Sequence, residues 1–170
     1  NNKIKIIEKR KYSNYCLFKT NFINKTNLSK NLCLLLPTSG SLGSPKFVRL
    51  SYKNLEINSK DIIKYLNISS FDRSITNMPM TYSYMISVIN THIFSGGSIF
   101  VTNESIMQKK FWKNYKKAKI TCFNGVPYMY QILIKYGLNN INTKYLKYLT
   151  QAGGKLDEKY IKIINNYFQR

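Results

Sequence analysis

Apolar and polar positions fall along this chain in short blocks, and the period of the pattern switches repeatedly between two and about four residues. Residues 32–36 form a continuous apolar run stopped by Pro37, the pattern of a buried strand. Phe47-Val48-Arg49-Leu50 alternates and predicts a second strand. Ser51 then stands as an N-cap. Leu55, Ile62, Ile63 and Leu66 share one face of a helix predicted over Tyr52–Leu66. Residues 75–78 read as a strand ended by Pro79, and a helix over 82–94 closes at Gly96-Gly97. Residues 98–101 are the next strand. Ser105 is expected to cap a helix reaching Lys117, with Met107, Phe111 and Tyr115 on its inner face. Residues 120–123 read as a strand. Pro127 suits the first turn of a helix that buries Met129, Ile132, Leu133 and Tyr136 and ends at Gly137. The last strand, 145–150, runs into the turn Gln151-Ala152-Gly153-Gly154. The final helix, 156–168, carries Asp157 and Glu158 in its first turn, where the helix dipole favours them.

Strand-then-helix repetition predicts an α/β fold with alternating strands and helices and a largely parallel sheet over residues 32–170. Residues 1–31 are polar and basic with short apolar patches, and read as lead-in strands or a linker. In parallel sheets, ligands sit beyond the carboxyl ends of the strands. The loop 38–46 and the turn 151–154 each follow a strand, so they are placed to face one crevice.

Composition changes this picture only in part. Hydrophobic content is 44%, ordinary for a globular chain. The 27 Lys and Arg against 7 Asp and Glu give a formal charge of +20, which raises a basic nucleic-acid-binding module as an alternative. The lysines are scattered rather than gathered with aromatics, and the cluster within 109–117 suits a solvated helix face, so nucleic acid is the less favoured partner. Cys16, Cys33 and Cys122 are odd in number and lack metal spacing, as expected for reduced thiols in the cytoplasm. His92 has no second histidine beside it and reads as a packed helix residue. No metal-ligating set is predicted. The most apolar window, 84–101, is interrupted by Asn90, Thr91, His92 and two glycines, which argues against a membrane span.

The stretch Thr38-Ser39-Gly40-Ser41-Leu42-Gly43-Ser44-Pro45-Lys46 carries the chemistry. Small side chains leave backbone N–H groups open to an anion, the hydroxyls add donors, and Lys46 adds a positive charge. That combination suits a polyphosphate. Pro45-Lys46-Phe47 replaces the Gly-Lys-Ser/Thr ending of a Walker A loop, which argues against a P-loop NTPase.

The stretch 38–46, followed by Leu50-Ser51 and Asn54-Leu55, resembles the phosphate loop of the adenylate-forming superfamily, which includes acyl-CoA synthetases and acid–AMP ligases. Three further segments resemble the family in order: Met78-Pro79-Met80-Thr81-Tyr82-Ser83-Tyr84, Phe123-Asn124-Gly125-Val126-Pro127, and Leu149-Thr150-Gln151-Ala152-Gly153-Gly154-Lys155-Leu156. The resemblance implies an enzyme that uses ATP with Mg2+ to activate a small carboxylic acid as an acyl-adenylate, releasing pyrophosphate. Coenzyme A or a carrier-protein thiol would then accept the acyl group. It implies that Thr38, Ser39, Gly40, Ser41, Gly43 and Lys46 bind the ATP phosphates. Gly153 and Gly154 would form a wall around adenine or the acyl group. Tyr82 would stand near the acid carboxylate, and Gly125 near the acyl pocket. Leu42 stands where the family usually has threonine, and Met85 where it has glycine. The family's later Tyr-Gly-x-Thr-Glu segment, its ribose-binding aspartate and its C-terminal catalytic lysine have no counterpart in these 170 residues. With a start at Asn1-Asn2-Lys3, the expectation is a fragment of the large N-terminal region or a non-catalytic remnant.

Overall fold

A computed structural model describes residues 4–12, 15–23, 27–37, 46–138, 141 and 144–168. Backbone contacts divide the chain into two units, Asn1–Leu32 and Cys33–Arg170. The first holds an antiparallel pair, β1 (Ile6–Tyr12) and β2 (Tyr15–Thr20), in one register from Tyr12 opposite Tyr15 to Glu8 opposite Lys19, with an irregularity before Ile6 meets Thr20. Every β1 residue is exposed, so this ribbon is held by its ladder and by surface contacts such as Lys9 over the Phe18 ring.

The remainder begins with β3 (Leu32–Pro37), which pairs with β4 (Phe47–Ser51). β4 feeds α1 (Tyr52–Leu66) through a reciprocal cap. The Ser51 hydroxyl accepts from the Asn54 backbone N–H, and the Asn54 side-chain oxygen Oδ1 accepts from the Ser51 N–H. Asn67 ends the helix in the left-handed conformation, φ 53°. Then follow β5 (Arg73–Ile75), α2 (Ser83–Phe94), β6 (Ser98–Phe100), α3 (Lys109–Lys117), β7 (Cys122–Gly125), α4 (Pro127–Tyr136), β8 (Tyr148–Gln151) and α5 (Glu158–Phe168).

β5 pairs with β6, and β7 with β8, both in parallel. The two ladders meet at Arg73 and Thr121. The Thr121 N–H donates to the Arg73 carbonyl at 2.9 Å, and the Arg73 N–H donates to Thr121 Oγ1 at 2.9 Å. The strands therefore lie side by side in the order β6-β5-β7-β8, with helices between them in sequence. This is the α/β arrangement predicted above, with each ladder only three or four residues long.

An aromatic core lies beneath the sheet. Trp112 and Tyr115 of α3, with Phe111 packed against both, meet Phe123 of β7, which meets Tyr130 of α4 edge-on at 5.8 Å. Ile75, Ile120, Met129, Leu133, Leu156 and Ile164 complete it. His92 packs as expected of a buried helix residue. Among the described residues no helix is long and apolar enough to cross a membrane.

Several boundaries differ from the sequence expectation. The strand placed at 75–78 is found at Arg73–Ile75, because this stretch pairs with Ser98–Phe100 and its Arg73 carbonyl accepts from the Thr121 N–H. Ser105 does not start α3. Its carbonyl accepts from the Gln108 N–H in a tight turn, and the helix begins at Lys109. Met107 is consequently exposed, and Ile106 is buried in its place. β7 and β8 sit two and three residues later than expected at their starts, and α5 begins at Glu158.

Candidate phosphate and acyl site

The carboxyl ends of β7 and β8 bring two distant segments together. The Ala152 N–H donates to the Gly125 carbonyl at 3.4 Å. Gly153 adopts φ +83°, which side chains disfavour, and a Cβ there would approach Val126 Cγ1 to 3.2 Å. Gly154 lies against the Pro127 ring. The Gln151 amide donates to the Gly154 carbonyl at 2.7 Å and closes the turn. Gly-Val-Pro and Ala-Gly-Gly thus form one bare-backbone surface at the sheet edge where ligands of parallel sheets bind.

A buried hydrogen-bond network holds this surface from below. Thr150 Oγ1 donates to Asn124 Oδ1 at 2.6 Å. An amide oxygen only accepts, so the Tyr84 hydroxyl, 2.6 Å from Thr150 Oγ1, must donate to it. The Asn124 amide donates to Ser74 Oγ at 2.9 Å, and the Asn77 amide donates to the Asn124 carbonyl at 2.5 Å. The Tyr130 hydroxyl reaches the Thr150 carbonyl at 2.7 Å. α2, α4 and three strands are tied at one point. Burial pushes the Tyr84 phenol up to about 12, against the opposing pull of its bond to Thr150, so it stays protonated at neutral pH. Burial raises the Tyr130 phenol as well.

Several cavities flank α2, and two of them lie near this surface or the strand β4. One of about 500 Å³ lies between β3, β4, α1 and α2 and is lined by Leu36, Arg49, Asn58 and Ser83 among others. The other, about 280 Å³, lies between α1, α2 and β8 and reaches Tyr84, Thr150, Gln151 and Ala152.

The residues expected from sequence fall as follows. Gly153 and Gly154 form the turn just described. Gly125 joins the same surface through its carbonyl, but its Cα faces the Tyr130 and Phe123 rings, and it lines neither cavity. Tyr82 heads α2 and is exposed; its carbonyl accepts from the Ile86 N–H at 2.9 Å. Lys46 is exposed immediately before β4. Thr38, Ser39, Gly40, Ser41 and Gly43 lie outside the described residues, as does Leu42. Met85 is fully buried. Asn124, Thr150 and Tyr84 were not singled out by sequence. The signal for Asn124 was there: a polar side chain amid the apolar run Ile120 to Val126 needs a partner inside the protein.

The sequence profile of AMP-binding enzymes matches residues 4–170. The chain belongs to the AMP-binding enzyme family. Among curated members, it is 32% identical over 110 residues to the acyl-CoA synthetase ALT10 of Alternaria alternata, covering 64% of this chain and 19% of that protein. Its fold is similar to the N-terminal domain of FACL13 from Mycobacterium tuberculosis, with TM-score 0.71, 14% identity, and 82% and 35% of the two chains covered. It is also similar to the o-succinylbenzoate coenzyme A synthetase of Bacillus subtilis in complex with AMP, with TM-score 0.69, 18% identity, and 79% and 27% covered. The chain spans about a fifth of the length of the curated relatives it matches.

Proposed function

We propose that this AMP-binding family member provides the phosphate and acyl side of an ATP-dependent carboxylic acid ligase. The reaction joins a carboxylate to the α-phosphate of ATP, releases pyrophosphate, and passes the acyl group to a thiol, coenzyme A or a carrier-bound one. The observation that carries this reading is the meeting of Gly125-Val126-Pro127 with Ala152-Gly153-Gly154 at the carboxyl ends of β7 and β8, two family segments far apart in sequence. A Cβ at Gly153 would press on Val126, so the surface is built to present backbone rather than side chains, which fits a flat ring such as adenine.

In this reading Thr38, Ser39, Gly40, Ser41, Gly43 and Lys46 hold the β- and γ-phosphates, with Mg2+ accompanying them. Gly153 and Gly154 flank adenine or the acyl group. ATP supplies the electrophilic phosphorus and the leaving pyrophosphate. The chain's own share is to gather N–H donors and a cation where negative charge builds on the phosphate oxygens. Tyr82, exposed at the head of α2, takes the role near the acid carboxylate that its place in the family segment 78–84 implies. Gly125 supports the acyl side by letting Tyr130 close beneath it. A cytoplasmic location fits this reading and the free Cys16, Cys33 and Cys122.

Isothermal titration with MgATP tests the phosphate assignment. Binding by the wild-type chain should weaken at least tenfold in Lys46→Ala and in Gly40→Ala. Unchanged binding in both would remove loop 38–46 from the site.

A further inference from the structure

The Gly-Gly turn lies at the carboxyl ends of the strands, and the opposite end of the same sheet carries a different chemistry. Lysines that are scattered in sequence are gathered there by the fold. Lys116 and Lys117 end α3, Lys119 leads into β7, Lys144 and Lys147 lead into β8, and Arg73 opens β5. Side-chain contacts join these segments. The Arg73 guanidinium donates to Ser98 Oγ at the start of β6 and to the Ala118 carbonyl behind α3, both at 2.9 Å. Lys119 and Lys144 stand over the Tyr145 ring, 5.7 and 5.6 Å from its centroid. Lys147 reaches Asp72 at 2.8 Å.

Little negative charge opposes these six cations. Among the described residues, Asp72 is the one carboxylate on the segments that enter the four strands, and it is buried and held by Lys147 and Ser69. Glu104 follows β6, and Asp157 and Glu158 follow β8, so they stand on the carboxyl side; Glu56 and Asp61 lie in the body of α1. The negative pole at the end of α3, which would repel an anion, is answered by Arg73 on the Ala118 carbonyl. Rings stand at the same end. Phe71, beside Asp72, is 91% exposed, and Tyr65, in the last turn of α1, is 87% exposed.

We propose that the amino ends of β5, β7 and β8 form a docking surface for single-stranded nucleic acid. Its phosphates lie on Lys116, Lys117, Lys119 and Lys144, and its unpaired bases stack on Phe71 and Tyr65. An anionic membrane is the poorer fit, because a surface-bound helix needs an outward apolar face and that of α3 is turned into the core. The surface is at the far end of the sheet from the Gly-Gly turn, so the proposal is independent of the ligase reading.

Fluorescence anisotropy of the 170-residue chain with a dye-labelled oligouridylate of about twelve nucleotides tests this. If the four lysines each neutralise one phosphate, log Kd should rise with log salt at a slope of about 3, at about 0.7 per phosphate. Lys116→Gln, Lys117→Gln and Lys119→Asn together should lower that slope by about two and weaken binding at least about tenfold. Asn suits position 119, where φ is +53°. Removing three charges from the carboxyl side instead, by Lys155→Gln, Lys159→Gln and Lys162→Gln, should leave affinity within about twofold. Phe71→Ala, at a position too exposed to unsettle the fold, should weaken the single strand about fivefold or more with the slope unchanged. A fully paired duplex should not respond to Phe71→Ala, and excess MgATP should not displace the strand. The inference is overturned if the strand does not bind, if the Lys155, Lys159 and Lys162 changes cost as much as those at 116, 117 and 119, or if Phe71→Ala leaves the single strand unaffected or weakens the duplex equally. Displacement by MgATP also overturns it, as do vesicles of phosphatidylcholine and phosphatidylserine that bind more tightly through the same lysines.

Discussion

At the residue scale, His92 is held by contacts that decide its tautomer. The Val88 carbonyl, 2.8 Å from Nδ1, only accepts, so Nδ1 carries the proton and Nε2 presents a lone pair to the Cys122 thiol at 3.6 Å. Burial lowers its pKa, with the Val88 carbonyl and the Asp72 charge opposing. Between that lowered value and the unfolded value near 6.5, the unfolded chain binds more protons. Stability therefore rises with pH across this window, is complete above about 6.5 and is lost below it. His92 is the only histidine, so urea midpoints should fall from pH 7 to pH 5, and His92→Gln should flatten that slope. A slope that persists in the variant would contradict this. Asp72 acts at lower pH. Burial alone would raise its pKa, but Lys147 at 2.8 Å, the Ser69 N–H and hydroxyl, and Thr121 together leave it lowered. Its contribution is present above about 3.9 and disappears as pH falls through the lowered folded value. Asp72→Asn should remove the steepest part of acid unfolding below pH 4. Gly125 has a packing role that can be isolated. A Cβ would meet Tyr130 Cε2 at 2.9 Å, so Gly125→Ala should cost about 1–3 kcal/mol in chemical denaturation.

At the scale of elements, the Ser51–Asn54 cap sets the start of α1. Ser51→Ala should cost about 1 kcal/mol, measurable as a lowered unfolding midpoint with unchanged denaturant slope. This helix was fully legible in the sequence. The Ser51 cap and the apolar stripe ending at Leu66 agree on its span, and the structure adds Asn67 as its left-handed cap. α3 was less legible. Ser105 offered a plausible cap, but Phe111, Trp112 and Tyr115 are the residues that reach the core, and they begin the helix at Lys109. Short parallel strands were also blurred. Their ends are decided by partners such as Ser98 and Thr121, which no local pattern reveals. The glycine turns could be read because their backbone demands are local. The Asn124–Thr150–Tyr84 network could not, because it joins three elements that are adjacent only after folding. The α3 lysines stand opposite its buried aromatic face, as a solvated charge run should.

At the scale of the whole molecule, large apolar side chains remain exposed, among them Phe71 at 91%, Tyr65 at 87% and Tyr128 at 68%. Such exposure favours association. Gel filtration should show elution moving to larger size as concentration rises, and a constant monomer would count against it. Charge of +20 opposes association at low salt, so the effect should grow with added salt. The central claim is that ATP lies with its ring on the Gly153-Gly154 turn and its phosphates on loop 38–46. Photolabelling with 8-azido-ATP, followed by peptide mapping, tests this most directly. The account predicts label on the peptides carrying residues 125–130 and 151–155, and its loss with excess MgATP. Label confined to the lysine face of α3, or label that excess MgATP does not displace, would contradict it.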